Sequence, residues 1–216
     1  MIELNRIYHA DCLDLMKDIP DKYFELAIVD PPYGIGMDEG FEGFGGFGTP
    51  IARKKYKGDW DNVTPDINYF NELKRISINQ IIFGGNYFTE FLSKGTHWLV
   101  WDKKNTMPTF SDCELIYTSF KRNSVKKYEV EYNGLIGKEK IQRFHPCQKP
   151  IKIYKKILKN YANLGDKILD THSGSGTTAV ACIDMGFDYV CIEKDKDYYE
   201  ASVKRINKEL IKIKLF

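Results

Sequence analysis

Short apolar segments alternate with longer amphipathic segments along most of the chain, and this alternation constrains the fold more than any other feature of the sequence. An apolar run of about four to eight residues is typical of a buried strand, whereas apolar residues that recur every three or four positions indicate a helix. Strands that alternate with helices are typical of a mostly parallel sheet covered by helices. The predicted fold class is therefore α/β.

The pattern predicts a strand or a helix at thirteen places. The predicted strands are Arg6–His9, Glu25–Val29, Gln80–Phe83, His97–Trp101, Glu114–Ser119, Lys167–Leu169 and Tyr189–Ile192. The predicted helices are Cys12–Asp18, Asp66–Ile78, Tyr87–Leu92, Ile151–Tyr161, Thr177–Met185 and Asp197–Lys212. Two segments break the pattern: Gly34–Gly48 has no period, and Lys103–Phe144 contains only one clear strand. The first is so rich in glycine that we expect a mobile loop there.

Length and cysteine content favour a single-domain protein without disulfides or a metal site. A chain of 216 residues is long enough for one domain with a substantial core. The five cysteines are scattered and form no C-x-x-C pair, so we expect neither a disulfide framework nor a metal site. Without a signal-peptide pattern or an apolar run of about 18 residues, the sequence predicts a cytoplasmic protein with no membrane partner.

A proline-rich turn directly follows the predicted strand Glu25–Val29. Its sequence is Asp30-Pro31-Pro32-Tyr33. Each proline fixes its own backbone and restrains the residue before it, so Asp30 is held on a stiff extended turn. A carboxylate beside free carbonyl groups is a receptor for an N–H₂ group. Because Tyr33 adds a flat face on which a base can stack, we interpret this turn as functional rather than as an ordinary strand end.

A glycine turn joins the predicted strand Lys167–Leu169 to the next helix. Its sequence, Asp170-Thr-His-Ser-Gly-Ser-Gly176, lets the backbone approach a ligand closely and exposes N–H groups at the start of the helix. Glu193, at the end of the following strand, lies where an acidic group accepts hydrogen bonds from ribose hydroxyls. No Gly-Lys-Ser/Thr follows, which excludes a P-loop and favours a nucleoside ligand. The turn alone fits an ordinary capped strand-helix connection about equally well.

Together the two turns resemble the catalytic and cofactor motifs of S-adenosylmethionine-dependent DNA amino-methyltransferases, which methylate N6 of adenine or N4 of cytosine. The catalytic motif comes first, as in the circularly permuted beta class. His145-Pro-Cys-Gln-Lys-Pro150 is similar to the His-Pro-Thr-Gln-Lys-Pro signature of that class, and Ala10-Asp-Cys-Leu13 to its Gly-Asp-Cys-Leu element. The resemblance is tight over residues 6–34 and 145–200 and loose between them.

The resemblance implies a Rossmann-like methyltransferase fold that uses S-adenosyl-L-methionine. It implies a mostly parallel seven-stranded sheet with one antiparallel strand. Residues 1–216 form one domain, with a catalytic half at 1–102, a short target-recognition insertion at 103–144 and a cofactor-binding half at 145–216. Because the permutation opens the fold at a crossover, we expect the first strand and the last helix to be neighbours.

The resemblance also assigns roles to individual residues. Asp30 and the carbonyl of Pro31, on the turn completed by Pro32, accept the target amine, and Tyr33 stacks on the extruded base. The residues assigned to the cofactor are Asp11, Cys12, Asp30, Gln148, Lys149, Asp170, His172, Ser173, Gly174, Ser175, Gly176, Thr177, Thr178 and Glu193. Two positions depart from the family pattern: Thr171-His172 replaces Pro-Phe, and Cys147 replaces threonine. We interpret His172 as a wall of the pocket rather than a base.

Charge is distributed very unevenly although the formal net charge is only +2. Residues 1–50 carry 3 basic and 10 acidic groups, whereas residues 121–159 carry 12 and 3. A basic segment interleaved with aromatic residues suits contact with phosphates and unstacked bases, so duplex DNA with a flipped target base is the predicted partner. The predicted DNA contacts are Arg53, Lys54, Lys55, Lys121, Arg122, Lys126, Lys127 and Arg143.

Several alternatives stay open at this point. Adenine-N6 methylation is the favoured activity and cytosine-N4 methylation the second. A DNA-binding relative that has lost catalysis is a rival of another class, given the changes at His172 and Cys147. An RNA substrate is a third possibility, because no feature of the sequence reads a 2′-hydroxyl. The short insertion suggests a homodimer or relaxed sequence specificity.

Overall fold

The computed structural model describes residues 2–36, 43–44, 50–51, 61, 63–104, 111–132, 145 and 147–214. Its strands are β1 (Arg6–His9), β2 (Phe24–Val29), β3 (Gly43–Phe44), β4 (Pro50–Ile51), β5 (Ser77–Phe83), β6 (Trp98–Asp102), β7 (Cys113–Thr118), β8 (Val125–Glu129), β9 (Lys167–Asp170) and β10 (Asp188–Glu193). Its α-helices are α1 (Cys12–Met16), α2 (Ile67–Ile76), α3 (Ile151–Tyr161), α4 (Thr177–Met185) and α5 (Lys196–Lys214). The prediction of an α/β fold is confirmed. Most of the loop predicted at Gly34–Gly48 lies outside the described residues.

Eight of the strands form one sheet in the order β1-β10-β9-β2-β5-β7-β6-β8, and β3 pairs with β4 separately. Only β7 runs antiparallel to its neighbours in this sheet, as predicted. The predicted number of seven strands is wrong, because β8 adds an eighth at the edge beside β6. That strand has the sequence Val-Lys-Lys-Tyr-Glu and is mostly exposed, so it lacks the apolar signal of a buried strand.

Two layers of helices cover the sheet, and side chains that alternate along β2 reach both. Leu26 and Ile28 pack in one core cluster with apolar residues of α3 and α4. Ala27 and Val29 pack in the other cluster with residues of α2. Because β2 is buried on both faces, the turn that follows it is anchored to the centre of the sheet.

The first and last elements of the chain are neighbours, as we expected. β1 pairs in parallel with β10, with Arg6 opposite Val190 and His9 opposite Glu193. The final helix, α5, packs against both strands. A fold opened at a crossover has this arrangement, although the permutation itself stays a prediction.

One predicted helix is wrong. The sequence predicts a helix over Tyr87–Leu92, but Gly85–Tyr87 forms a single 3₁₀ turn that ends there. The turn starts at Gly84, whose backbone is left-handed, and the next residue is also glycine. Two glycines and so few residues do not support a stable α-helix.

The remaining predicted elements agree with the structure to within one to three residues at their ends. Among the described helices, none combines the length and the apolar character that crossing a membrane requires. Within the same described ranges, no cluster of His, Cys, Asp and Glu side chains is arranged to hold a metal ion.

Candidate active site

Four acidic residues lie at the carboxyl ends of four neighbouring strands. Asp11 follows β1, Glu193 ends β10, Asp170 ends β9 and Asp30 follows β2. Since these strands are parallel, their carboxyl ends meet at one edge of the sheet, where α/β folds bind ligands. The structure therefore brings the predicted catalytic turn and the predicted cofactor turn side by side.

The turn Asp30–Tyr33 is held by backbone contacts to Asp61. The backbone N–H groups of Tyr33 and Gly34 donate to Oδ1 of Asp61 over 2.7 and 3.1 Å. Neither Pro31 nor Pro32 has an N–H to donate, so this single carboxylate anchors the end of the turn. Asp30 is thereby fixed at the edge of the sheet.

Both carboxylate oxygens of Asp30 have partners within the protein. Oδ1 accepts the hydroxyl of Tyr33 over 2.6 Å. Oδ2 accepts Nζ of Lys149 over 2.5 Å. Burial raises the pKa of Asp30 above its ordinary value even though the Lys149 ammonium acts to lower it. The carboxylate is therefore largely shielded from water, with 16% of its side chain exposed, and is in contact with two donors.

Glu114, on β7, completes this buried group and was not among the predicted site residues. Its Oε1 lies 2.9 Å from the Tyr33 hydroxyl and 3.2 Å from Nζ of Lys149. Its Oε2 lies 3.1 Å from Nζ of Lys103. Burial disfavours the charge of Glu114, but the two lysines outweigh it and lower the pKa of Glu114. Burial likewise opposes the charge of Lys149, whose pKa the two carboxylates nevertheless raise.

The ring of Tyr33 has a fixed orientation. It stacks on Tyr87, with ring centroids 4.7 Å apart and an angle of 14° between the planes. A Cβ atom at Gly84 would overlap Cε1 and Cζ of Tyr33, so only glycine fits beside the ring. One face of Tyr33 is therefore covered by Tyr87.

The glycine turn after β9 is closed by hydrogen bonds to the backbone and to Glu193. Gly174 and Gly176 both have positive φ, at +49° and +70°. The N–H of Gly174 donates to Oε2 of Glu193 over 2.7 Å, and the N–H of Asp195 donates to Oε1 over 2.8 Å. The Glu193 carboxylate thus holds two backbone segments, and each oxygen keeps a further lone pair for a ligand hydroxyl.

Asp170 is almost fully buried, with 2% of its surface exposed. Oδ1 accepts the N–H of His172 over 3.1 Å, and Oδ2 accepts the hydroxyl of Thr178. Burial raises the pKa of Asp170 to about 7. Since both partners are neutral donors, this aspartate lacks the ion pair that Asp30 has.

The other predicted cofactor residues with hydroxyl groups lie deep in the turn. Ser175 and Thr177 share a hydrogen bond of 2.9 Å, and Arg205 donates to the Ser175 carbonyl and to the Thr177 hydroxyl over 2.8 and 3.0 Å. Ser173 is also buried, with 6% of its surface exposed. These hydroxyl contacts hold the turn against α5.

Two predicted pocket residues are kept uncharged by their surroundings. Burial lowers the pKa of His172 to about 4, so its imidazole is neutral near pH 7 and packs edge-on against Tyr69. Burial raises the pKa of the Cys12 thiol to about 12. Beside them, Asp11 accepts the N–H of Leu13 over 2.9 Å and lies 2.9 Å from Nζ of Lys194.

The segment that carries Gln148 and Lys149 links the two turns. The ring of His145 is 3.1 Å from the position that a Cβ of Gly174 would occupy. The carbonyl of Lys149 accepts the Thr177 hydroxyl over 3.4 Å, while its ammonium group bonds Asp30. Oε1 of Gln148 is buried and has no hydrogen-bond partner among the described residues. An acceptor without a partner points to a ligand that donates a hydrogen bond there.

The predicted DNA contacts fall into three groups. Arg53, Lys54, Lys55 and Arg143 lie outside the described residues. Lys121 and Arg122 lie in the connection from β7 to β8, and because β7 is antiparallel this connection is at the sheet edge opposite to Asp30. Lys126 and Lys127 lie on β8, where Lys127 reaches Glu129 and Asp102 at the carboxyl edge.

This chain is similar in sequence to known DNA methyltransferases. Residues 100–204 match the model of a protein family described as DNA methylase. The Type II methyltransferase M2.MboI of Moraxella bovis is 26% identical over 240 residues, which cover 92% of this chain and 86% of that protein.

Two solved structures have a similar fold. The M1.HpyAVI complex with SAM has a TM-score of 0.60 and 20% identity, and the match covers 93% of this chain and 98% of that one. The PvuII DNA methyltransferase, described as cytosine-N4-specific, has a TM-score of 0.61 and 14% identity, and covers 94% and 90%. At these identities the likeness establishes the fold, an α/β fold shared with methyltransferases.

Proposed function

We propose that this chain is a DNA methylase of the N6 and N4 amino-methyltransferase family and transfers a methyl group from S-adenosyl-L-methionine to an exocyclic amine of a DNA base. One observation carries the proposal. Asp30, on its proline turn, and the glycine turn after β9 lie at the ends of adjacent strands. Lys149 contacts both, because its ammonium group donates to Asp30 and its carbonyl accepts the hydroxyl of Thr177. The amine acceptor and the cofactor loop are thus parts of one site.

The residues at the glycine turn fit S-adenosyl-L-methionine. Gly174 has a positive φ of +49° and little room for a side chain, since a Cβ there would lie 3.1 Å from the His145 ring, so the backbone of the turn stays compact. The buried Oε1 of Gln148 needs a donor, and the ligand carries an ammonium and hydroxyl groups that donate. We assign Glu193 to the ribose, Asp11 and Cys12 to the adenine side, and the turn 170–178 to the methionine end.

Within that turn we separate contact from support. Gly174 and His172 are assigned to direct contact, because the family resemblance puts this turn at the methionine end and the neutral imidazole forms a wall. Asp170, Ser175, Thr177 and Thr178 hold the turn through internal hydrogen bonds. When bound, the cofactor supplies an activated methyl group on sulfur.

Asp30 and the Pro31 carbonyl receive the target amine. Their oxygens accept the two N–H hydrogens, which draws the nitrogen lone pair out of conjugation with the ring and orients it. A duplex hides this amine from a pocket, so the base is flipped out at a cost of a few kcal/mol. Stacking of the base on Tyr33, the role that the family resemblance gives this residue, offsets that cost. After methyl transfer, the amine nitrogen releases one of its protons to solvent.

Adenine-N6 is our proposed target atom, and cytosine-N4 is the second candidate. Aspartate at the first position of the Asp-Pro-Pro-Tyr motif favours adenine by resemblance. The PvuII DNA methyltransferase, which is described as cytosine-N4-specific, has a similar fold, so the fold does not distinguish the two targets. Both amines present two hydrogens to the same pair of acceptors, so geometry at Asp30 alone does not choose between them.

We further propose how the chain divides this work. Residues 1–102 supply the catalytic half and residues 145–216 the cofactor half, with recognition between them at 103–144. Lys126 and Lys127, together with Arg53, Lys54, Lys55 and Arg143, are proposed to contact DNA phosphates. A homodimer would enlarge this short recognition surface.

One labelling experiment tests the activity and its target. The protein is incubated in separate reactions with unmethylated DNA and with RNA, each with S-adenosylmethionine carrying a labelled methyl group, and the nucleic acid is digested to nucleosides. We expect label in N6-methyladenine nucleoside. Label only in the N4-methylcytosine nucleoside would select the second candidate, and label in RNA but not DNA would reject the substrate class.

The rival hypothesis, a DNA-binding protein without catalysis, is tested in the same assay with Asp30→Ala. We expect this variant to retain cofactor binding, because Asp11, Glu193 and the glycine turn are unchanged, and to transfer little methyl group. Wild-type protein that binds cofactor and DNA but labels neither base would support the rival.

A further inference from the structure

Glu114 contacts the catalytic turn from β7, a strand that the motifs of the family resemblance do not include. It is on the antiparallel strand, at the end that lies beside the carboxyl ends of the parallel strands. Its side chain is 12% exposed and its carboxylate faces both Tyr33 and Lys149. A buried charged group directed at the reacting residues calls for a physical reason.

The two oxygens of Asp30 are both in use before any base arrives. Oδ1 accepts the Tyr33 hydroxyl and Oδ2 accepts the Lys149 ammonium. A target amine bound to Asp30 therefore displaces one of these donors or shares an oxygen with it. The bond from Lys149 joins two buried charges and is the more costly to break. The neutral hydroxyl of Tyr33 is the donor that leaves more readily.

The displaced hydroxyl already has a second acceptor. The Tyr33 oxygen is 2.6 Å from Oδ1 of Asp30 and 2.9 Å from Oε1 of Glu114. A phenol has one hydrogen, so it donates to one of the two carboxylates at a time. Rotation of that hydrogen about the C–O bond moves the hydrogen bond from Asp30 to Glu114 without displacing a heavy atom.

We propose that Glu114 is a positioning residue for methyl transfer: it takes over the Tyr33 hydroxyl when the target amine binds Oδ1 of Asp30. The inference rests on the proposed amino-methyltransferase function. Lys103 and Lys149 keep the Glu114 carboxylate charged, so it is a strong acceptor at the moment of exchange. The same contact keeps the Tyr33 ring in place while its hydroxyl changes partner.

The test compares two substitutions at position 114 in single-turnover methyl transfer at saturating DNA and cofactor. Glu114→Met removes the acceptor and keeps the length of the side chain. We expect its rate constant to fall about 10- to 100-fold, the effect of one hydrogen bond to a charged group. Glu114→Gln keeps a carbonyl acceptor at the same reach, and we expect it to retain more of the rate. Affinities for DNA and cofactor stay near those of the wild type.

A matched control lies at the opposite edge of the sheet. Glu25 is also a strand glutamate that pairs with a lysine, since it lies 3.3 Å from Nζ of Lys167 and accepts the Lys167 N–H over 2.7 Å. Glu25→Met is expected to leave the rate constant unchanged. All rate constants are expressed per bound cofactor, so unfolded molecules do not count.

A double-mutant cycle with Tyr33→Phe tests the exchange itself. Without the hydroxyl there is no hydrogen bond to transfer, so Glu114→Met should cost much less in the Tyr33→Phe background. An equal loss in both backgrounds would overturn the proposal. Equal rates for Glu114→Gln and Glu114→Met would also overturn it, because the charge rather than the acceptor would then matter.

If the Glu114→Met variant does not bind cofactor, Glu114→Asp is used in its place. It keeps the charge but withdraws the oxygen from Tyr33 by about one methylene, so exchange predicts a loss and a purely electrostatic role predicts the wild-type rate. Wild-type protein that methylates no DNA would reject the proposed function together with this inference. Active wild type with unaltered Glu114 variants would reject the inference alone.

Discussion

The turns after β2 and β9 leave neighbouring strands at one edge of the sheet, and each begins with an aspartate, yet the partners of the two aspartates differ. Asp30 is in an ion pair with Lys149 and accepts a hydroxyl that has a second acceptor in Glu114. Among the described residues, the donors to Asp170 are both neutral and come from its own turn and helix. Asp30 is therefore built to exchange partners and Asp170 to keep them.

The difference in partners appears in the charge of the two groups. Burial raises the pKa of both carboxyl groups. At Asp30 the Lys149 ammonium acts to lower the pKa, whereas no cation among the described contacts does so at Asp170. The pKa of Asp170 accordingly rises to about 7. Reactivity and support are thus assigned to different strands.

The largest expected effect is that of Asp30→Asn. The amide cannot present two acceptor oxygens, so we expect methyl transfer to fall about 10²- to 10³-fold. Asp170→Asn is the matched change at the supporting turn and should lower the rate far less at saturating cofactor. Single-turnover methylation of DNA measures both. Similar losses for the two variants would contradict the division of roles.

Gly84→Ala should damage the catalytic turn through packing. The new Cβ would overlap the Tyr33 ring, and the residue has φ of +63°. We expect a loss of about 2–4 kcal/mol in the free energy of unfolding, with a fall in methyl transfer as Tyr33 is displaced. Urea denaturation and the labelling assay measure the two effects.

Gly186→Ala is the control for backbone strain alone. Gly186 has φ of +74°, and no atom lies within 4 Å of the position that a Cβ would occupy there, so the cost should be about 1–2 kcal/mol with no effect on the rate. A rate loss as large as that of Gly84→Ala would mean that strain rather than contact with Tyr33 governs activity.

Asp170 should give the fold a specific dependence on pH. Its pKa is about 7 in the folded protein and close to 3.8 when unfolded. Between these values the unfolded chain has lost the proton that the folded protein retains, so stability falls as pH rises from about 4 to 7 and then levels off. We expect this contribution to be on the order of 2–4 kcal/mol.

Subtraction of the Asp170→Asn stability curve isolates that contribution. His172 acts in the opposite direction, because its pKa is lowered to about 4 and stability rises with pH as its unfolded form loses a proton. Urea denaturation of both proteins at several pH values between 4 and 8 gives the difference. A difference that does not vary with pH would show that Asp170 is ionised throughout the range.

Regular elements were predictable from sequence where burial sets a strong period. The bounds of α3 and α4 agree with the prediction, because α3 has a distinct apolar face and α4 is an apolar run bounded by Gly176 and Gly186. β8 was not predicted, since an exposed edge strand of Val-Lys-Lys-Tyr-Glu has the composition of a solvated segment. Its pairing with β6 is fixed by tertiary context.

The site residues could likewise be predicted only where their signal is local in sequence. The turns at Asp30 and Asp170 were found because their motifs are local in sequence. Glu114 was missed because its partners, Tyr33 and Lys149, are 81 and 35 positions away along the chain. One signal was available: an acidic residue within the otherwise apolar strand Cys113–Thr118 needs a buried partner.

The smallest expected effect concerns the predicted DNA contacts at the two edges of the sheet. Lys127 reaches the carboxyl edge, where it lies 2.7 Å from Glu129, whereas Lys121 is in the connection at the opposite edge. If DNA is bound over Asp30, a phosphate can compete for the exposed Lys127 ammonium, because surface ion pairs are weak. We expect Lys127→Ala to reduce the slope of log affinity against log salt by about 1, and Lys121→Ala to leave it unchanged. Equilibrium binding to a short duplex over a range of salt measures both slopes, and an equal reduction would place DNA along β8 as a whole rather than over the edge that carries the catalytic turn.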